Sequence, residues 1–177
     1  MIEKKRNPLI DFVKDVNLSF KREQLLYDIK NYAFVEGDVM QAKTEHDRHQ
    51  VIDVGEDGNI DRVTRVLDLS FVECVDLLYP YSKKTFEDMQ ESNDILEEIE
   101  TYTIEMKVPD WFSKTTVVLL EKLIHEYMVY RVLADWMSIT NPASKANWEE
   151  KIEDVSEKIR GCMNARCRRL RRTQTPF

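Results

Sequence analysis

Between Ser113 and about Ile139 the chain is apolar around most of a helical cylinder. Leu119, Leu123, Tyr127, Tyr130 and Trp136 are among the residues that recur there at helical spacing. No turn residue interrupts them, and a helix of that length is about 40 Å long at 1.5 Å per residue. Apolar residues on nearly every face require cover on nearly every face. The helix must therefore be central in its own domain or be covered on one side by another subunit. The remainder of the chain is small for that task, which points to contacts between copies at Leu119, Leu123, Tyr127, Tyr130, Trp136 and Trp148. No run of 18 apolar residues occurs, so no membrane span is expected.

Asn141-Pro142 breaks the helix, and Ser144 is placed to cap the next one. Trp148, Ile152, Val155, Ile159 and Cys162 follow at spacings of four, three, four and three, a single stripe that fits against the long helix. The expected fold is mainly α: an elongated helical bundle around a long central helical hairpin. The low content of Gly and Pro, four and five residues, agrees with helices.

Upstream, Asn7-Pro8 opens a short helix from Leu9 to Val16, and Ser19 caps a helix from Phe20 to about Glu36 that ends at Gly37-Asp38. Its stripe is Leu25, Leu26, Ile29, Ala33 and Phe34. Residues 41–50 are polar and aperiodic and read as a loop. Val51 to Val54 and Ile60 to Leu67 are rich in β-branched residues and flank Gly55-Glu56-Asp57-Gly58-Asn59, which reads as a β-hairpin over about 50–67. A helix from Ile60 is the rival. Ser70 and Glu73 form a capping-box pattern that would start a helix at Phe71, and Tyr79-Pro80 would stop it. Thr85 opens a thinly apolar surface helix to about Glu100. Tyr102, Ile104, Met106 and Val108 alternate with polar residues, the period of a half-buried strand over about 101–108 that could join the hairpin in a small antiparallel β element.

The formal net charge is −7, but it is unevenly placed. Residues 160–177 contain six arginines and no acid, so the rest of the chain is strongly acidic. The sequence divides into a helical domain, 1–165, and a basic arm, 166–177. Five arginines fall within seven positions: Arg166, Arg168, Arg169, Arg171 and Arg172. Guanidinium groups there can dock on an acidic protein partner or touch DNA phosphates without sequence specificity. Phe177 adds an aromatic contact.

Motifs for chemistry are weak. His46 and His49 are three apart but have no cysteine pair beside them to complete a zinc site. His125 has no nucleophile placed with it. Asp53 to Thr64 matches a calcium loop at several positions but has Gly55 at the third and Thr64 at the twelfth. Three cysteines, an odd number, fit a reducing compartment better than a disulfide scaffold. The residues point to a binding or structural protein with no catalytic residue, no cofactor and no metal.

The segment Asp68-Leu-Ser-Phe-Val-Glu-Cys-Val-Asp-Leu-Leu-Tyr-Pro-Tyr and the span from Trp111 through Arg172 resemble the head–tail connector (adaptor) proteins of tailed bacteriophages. Tyr130-Arg-Val-Leu-Ala-Asp-Trp-Met-Ser-Ile-Thr-Asn-Pro is similar to the neck ring proteins of crAss-like phages. The resemblance implies a virion protein of the neck between capsid and tail, assembled in the host cytoplasm. It implies a homo-oligomer, a ring of about a dozen copies below the portal protein, with tail or lower neck ring proteins beneath it and genomic DNA in the lumen. Residues 113–165 would form the ring wall, and Arg166 to Phe177 would dock on the portal. The hairpin at 50–67 departs from the simplest adaptors. A DNA-binding packaging accessory protein, and another neck ring or stopper, are the alternative functions.

Overall fold

The computed structural model describes residues 13–40, 44–79, 81–82, 99–110 and 112–164. Strand β1 (Val13–Lys21) leads directly into helix α1 (Arg22–Val39), which is followed by α2 (Glu45–Ile52). A 3-10 turn at Asp53–Gly55 then joins α2 to α3 (Asp57–Leu77). Strand β2 (Thr101–Pro109) precedes the two longest helices, α4 (Lys114–Thr140) and α5 (Pro142–Asn164). The fold is mainly helical with a small two-stranded antiparallel sheet, as expected.

The helical hairpin follows its local signals closely. Ser113 Oγ accepts from the Thr115 amide at the start of α4, as an N-cap does for an otherwise orphaned amide. Pro142 opens α5, where its missing N–H costs nothing. Ser144 lies inside the first turn and donates to the Asn141 carbonyl. Trp148, Val155 and Ile159 are buried on the α4 side, and Ile152 and Cys162 pack at the margin of the core.

Helix α4 is central. Leu120, Ile124, Met128, Leu133 and Met137 are fully buried, and α1, α2, α3 and α5 all pack against it. One chain therefore covers the middle of the helix, contrary to the expectation that its girth outruns the available cover. The large apolar residues of α4 that are exposed, Val118, Leu119 and Ile139, lie near its two ends.

The strand over 101–108 is present, but its partner is not a hairpin at 50–67. β2 pairs antiparallel with β1, with Phe20 opposite Tyr102, Leu18 opposite Ile104 and Val16 opposite Met106. Residues 13–16, expected to be helical, thus belong to a strand, and Ser19 lies in that strand instead of capping α1. Leu18, Phe20, Tyr102, Ile104, Met106 and Val108 form the buried face. Two strands alone are marginal in water. Here Phe71 of α3 packs on Tyr102 with ring centroids 5.3 Å apart, and the Tyr102 hydroxyl donates to Asp68 Oδ1 at 2.6 Å.

Within the region read as loop and hairpin, the described residues form α2, the 3-10 turn and the start of α3, with Thr44 and Glu56 outside them. Thr44 and Asp47 form a reciprocal capping box that starts α2. The Gly55–Asn59 turn signal marks the entry to α3. Asn59 Nδ2 donates to the Asp53 carbonyl at 2.8 Å, and Asp57 sits in the first turn, where an acid complements the helix dipole. Val63, Leu67, Phe71 and Val75 are buried at spacings of four, one stripe running through Ser70. The helix accordingly does not start at Phe71. Ser70 Oγ donates to the Leu67 carbonyl, and Glu73 turns to other partners. The helical cost of β-branched residues is below about 0.7 kcal/mol each, whereas burying a Val or Leu side chain contributes about 1.5–3 kcal/mol.

Helix α1 also runs past its expected end. Gly37 lies where α2 comes close, and a Cβ there would stand 2.6 Å from Ile52 Cγ1. This glycine serves close packing of two helices instead of ending one. The helix expected from Thr85 lies outside the described residues over 85–98.

Candidate assembly surfaces

The polar groups between helices are mostly tied to one another. On α3, Glu73 receives Arg131 Nη2 at 2.7 Å, Arg131 Nε at 2.9 Å and the Tyr127 hydroxyl at 2.9 Å, all from α4. The Arg131 guanidinium holds the Glu73 carboxyl below its ordinary range, against a smaller opposing effect of burial. Burial, reinforced by Glu73, pushes the Tyr127 phenol upward. Arg62 Nε donates to Asp135 at 2.8 Å, and His125 Nε2 lies 2.7 Å from Asp28 of α1. These groups join helices to one another.

His46 and His49 are exposed on α2, beside Gln50 and Glu45 respectively. The segment from Asp53 to Thr64, weighed as a calcium loop, forms a 3-10 turn and the start of α3. Among the described residues no group of three or more His, Cys, Asp or Glu converges as a metal site would require. Burial raises the thiol pKa of Cys74, and to a lesser degree that of Cys162, which keeps both in the unreactive protonated form. No described helix is long and apolar enough to cross a membrane.

The residues expected at contacts between copies separate into three groups. Tyr127, Trp136 and Trp148 are buried inside this chain, because α3, α2 and α1 respectively supply their cover or partners. Trp136 Nε1 donates to the Val51 carbonyl at 2.9 Å, so it pins α2 and offers no surface to a neighbour. Leu123 and Tyr130 are half-buried at the core margin. Leu119 is 48% exposed. Arg166, Arg168, Arg169, Arg171, Arg172 and Phe177 lie outside the described residues.

Other apolar residues take the outward positions. On α1, Tyr27, Phe34, Val35 and Val39 are exposed, Val39 at 77%. Phe34 was expected in the inner stripe, but Leu25, Ile29, Ala33 and Gly37 fill the i, i+4 line and turn Phe34 outward. On α3, Leu69 and Val72 are exposed, and so is Tyr79 in the turn just beyond its end. The available signal was a set of large apolar residues lying off the principal stripe of each helix.

Val35 and Val39 face a groove of about 640 Å³ between α1 and the first half of α5, with Met40, Ala143 and Trp148 also on its wall. Glu36, Glu150 and Asp154 line its continuation beside Lys151. Beneath it Tyr32, Tyr130 and Trp148 form a ring cluster with centroids 5.6–5.9 Å apart. The Lys151 ammonium sits 3.8 Å from the Trp148 ring centroid, a favourable cation–π position. The Trp148 indole N–H is buried and finds no acceptor among the described residues. Sequence reasoning missed this groove because α1 and α5 are more than 100 residues apart.

No family model, curated protein or solved structure matches the chain. Function must therefore be argued from the residues and surfaces themselves.

Proposed function

We propose that the chain is a structural subunit of the head–tail connector ring of a tailed bacteriophage. Many copies would close around the DNA channel, joining the portal above to tail or lower neck ring proteins below, in the neck of the virion. The α4–α5 pair serves as the wall, and residues 166–177 serve as the arm that docks on the portal. The subunit binds and spaces; it performs no reaction.

The observation that carries this reading is that exposed large apolar side chains lie on three different helices, α1, α3 and α4. A closed ring is built from heterologous contacts, in which each copy presents two different surfaces to its neighbours. An acidic chain also needs apolar or oppositely charged contacts to offset repulsion between copies. Both needs are met by apolar surface on separate elements together with a segment rich in arginine.

The test is the native mass of the full chain, alone and mixed with the portal of the same phage. A multi-copy complex on the portal is expected. A chain that stays monomeric beside the portal overturns the reading. DNA binding that collapses between low and moderate salt, without portal association, would favour the packaging accessory function instead.

A further inference from the structure

We infer that residues 166–177 fold back onto the groove between α1 and α5 of the same subunit, so that the free chain keeps its basic arm covered until the portal takes it. The docking rests on the groove and the segment themselves. Its service as a hold on the arm rests on the connector reading.

The groove changes character in one direction, from the end of α5 toward its start. Asp154 and Glu150 come first, with Glu36 of α1 lining the same space, against the single ammonium of Lys151. Glu157 is exposed and continues the face of Glu150 and Asp154 toward the C-terminus. Val35, Val39 and Met40 of α1 come last, together with Ala143 and Ser144 at the start of α5. The segment changes in the same order. Its five arginines lie between Arg166 and Arg172, and Phe177 ends it. Guanidinium groups pair with carboxylates in forked geometry. Asp154 already receives Lys158 at 2.6 Å, but an exposed pair of this kind contributes little, and a carboxylate has room for a second donor. The Trp148 indole N–H, buried in the groove wall, has no acceptor among the described residues. A backbone carbonyl of the docked segment supplies one.

Length and attachment select the chain's own segment. Asp154, Glu150 and Ala143 lie about 15, 21 and 32 Å of helix back from Asn164 at 1.5 Å per residue. Residues 165–177, extended at about 3.4 Å each, span about 44 Å. That leaves about three residues for the reversal at the end of α5. Arg168 to Arg172 then run past Glu157 and Asp154 and bring Glu150 within side-chain reach, and Phe177 arrives at the Val39–Met40 strip. Gly161 follows Glu157 on the same face, and a Cβ there would meet nothing within 4 Å, so the last turns of α5 give the returning chain room. An adjacent copy presents the same residues only by collision. A segment joined directly to the groove wall is present at an effective concentration of about millimolar, so in the dilute free subunit it takes the groove first.

Charge exchange in the full chain tests this. One variant carries Glu150→Lys with Asp154→Lys, both exposed positions on α5. A second carries Arg168→Glu, Arg169→Glu and Arg172→Glu, and a third combines all five substitutions in one chain. Backbone amide exchange over 168–175 reports docking, sedimentation velocity fixes a concentration at which the chain is a single copy, and thermal melts check folding. Exchange is expected to be at least tenfold faster in each of the first two variants than in wild type. The combined chain should recover slow exchange, because its arm and groove again have opposite signs. An equimolar mixture of the first two should not recover it, and wild-type protection should not change on dilution. Phe177→Ser, which removes the apolar tip without touching charge, should also speed exchange. With its arm released, the Glu150→Lys, Asp154→Lys chain should associate with the portal at least threefold faster than wild type.

Wild-type exchange as fast as that of the charge-reversed chains overturns the inference, and so does recovery in the mixture without recovery in the combined chain, which assigns the groove to a neighbour. In either case the connector reading stands. Slow exchange that behaves as expected in a chain that never meets the portal keeps the folded-back arm and removes the connector reading.

Discussion

The α4–α5 hairpin and the α2–α3 segment are both helical, yet they become so for different reasons. In the hairpin, caps and periodicity agree: Ser113 opens α4, Pro142 opens α5, and the Trp148–Ile159 stripe meets α4. In the other segment, local preference and outcome disagree. Val51, Ile52 and Val54 favour strands, and Gly55 to Asn59 favours a turn, but the chain there is two helices joined by a 3-10 turn. Contacts with distant residues account for the difference. Val51 and Val54 are sealed in the core, Trp136 holds the Val51 carbonyl, and Arg22 Nη2 donates to Thr64 Oγ1 at 2.9 Å. A few tenths of a kcal/mol of preference per residue yields to burial worth several times more.

If both regions belong to one cooperative core, equal truncations should cost equally. Leu67→Ala in α3 and Leu133→Ala in α4 remove side chains that are both 0% exposed. Each should lower stability by about 2–5 kcal/mol, read from denaturant midpoints. A negligible cost at Leu67 beside a large one at Leu133 would break the comparison, because α3 would then be only loosely attached.

Glu73 ties the two regions together through Arg131 and Tyr127. Glu73→Gln should cost about 1.5–3 kcal/mol at neutral pH, the range for hydrogen bonds to charged groups. The sign with pH follows from the lowered carboxyl value. Stability from the ionised group is fully present above the unfolded value, about 4.3, and is lost as pH falls through the lower folded value. The gap between wild type and Glu73→Gln should therefore narrow as the pH drops below that value. A gap independent of pH would show that Glu73 acts through shape alone.

Caps should matter less, and similarly in both regions. Thr44→Ala at α2 and Ser113→Ala at α4 should each cost about 1 kcal/mol, measured by thermal unfolding. A much larger loss at Thr44 would mark α2 as dependent on its cap where α4 is not. The smallest effect is expected on the outer face of the hairpin. Lys158→Ala breaks an exposed pair with Asp154 and should change stability by about 0.3–0.5 kcal/mol, an effect abolished by salt.

The candidate surfaces show the same division between local and distant information. The apolar stripe of α5 was legible in the spacing of Trp148, Val155 and Ile159, and so was the inner face of β2. Phe34 was misplaced because its neighbours Ala33 and Gly37, smaller residues, complete the buried line. Tyr127 and Trp136 read as contacts between copies because their partners, Glu73 and the Val51 carbonyl, are far away in the chain.

The sequence by itself determined the helical hairpin, the alternation of β2 and the concentration of arginine in 166–172. Each is written in neighbours a few residues apart, where caps, helical period and charge act directly. Tertiary structure decided that β1 is the partner of β2, that residues 45–77 are helical, and that α1 and α5 enclose a groove. Those outcomes depend on which distant surfaces bury one another. Burial outweighs local preference wherever the two conflict.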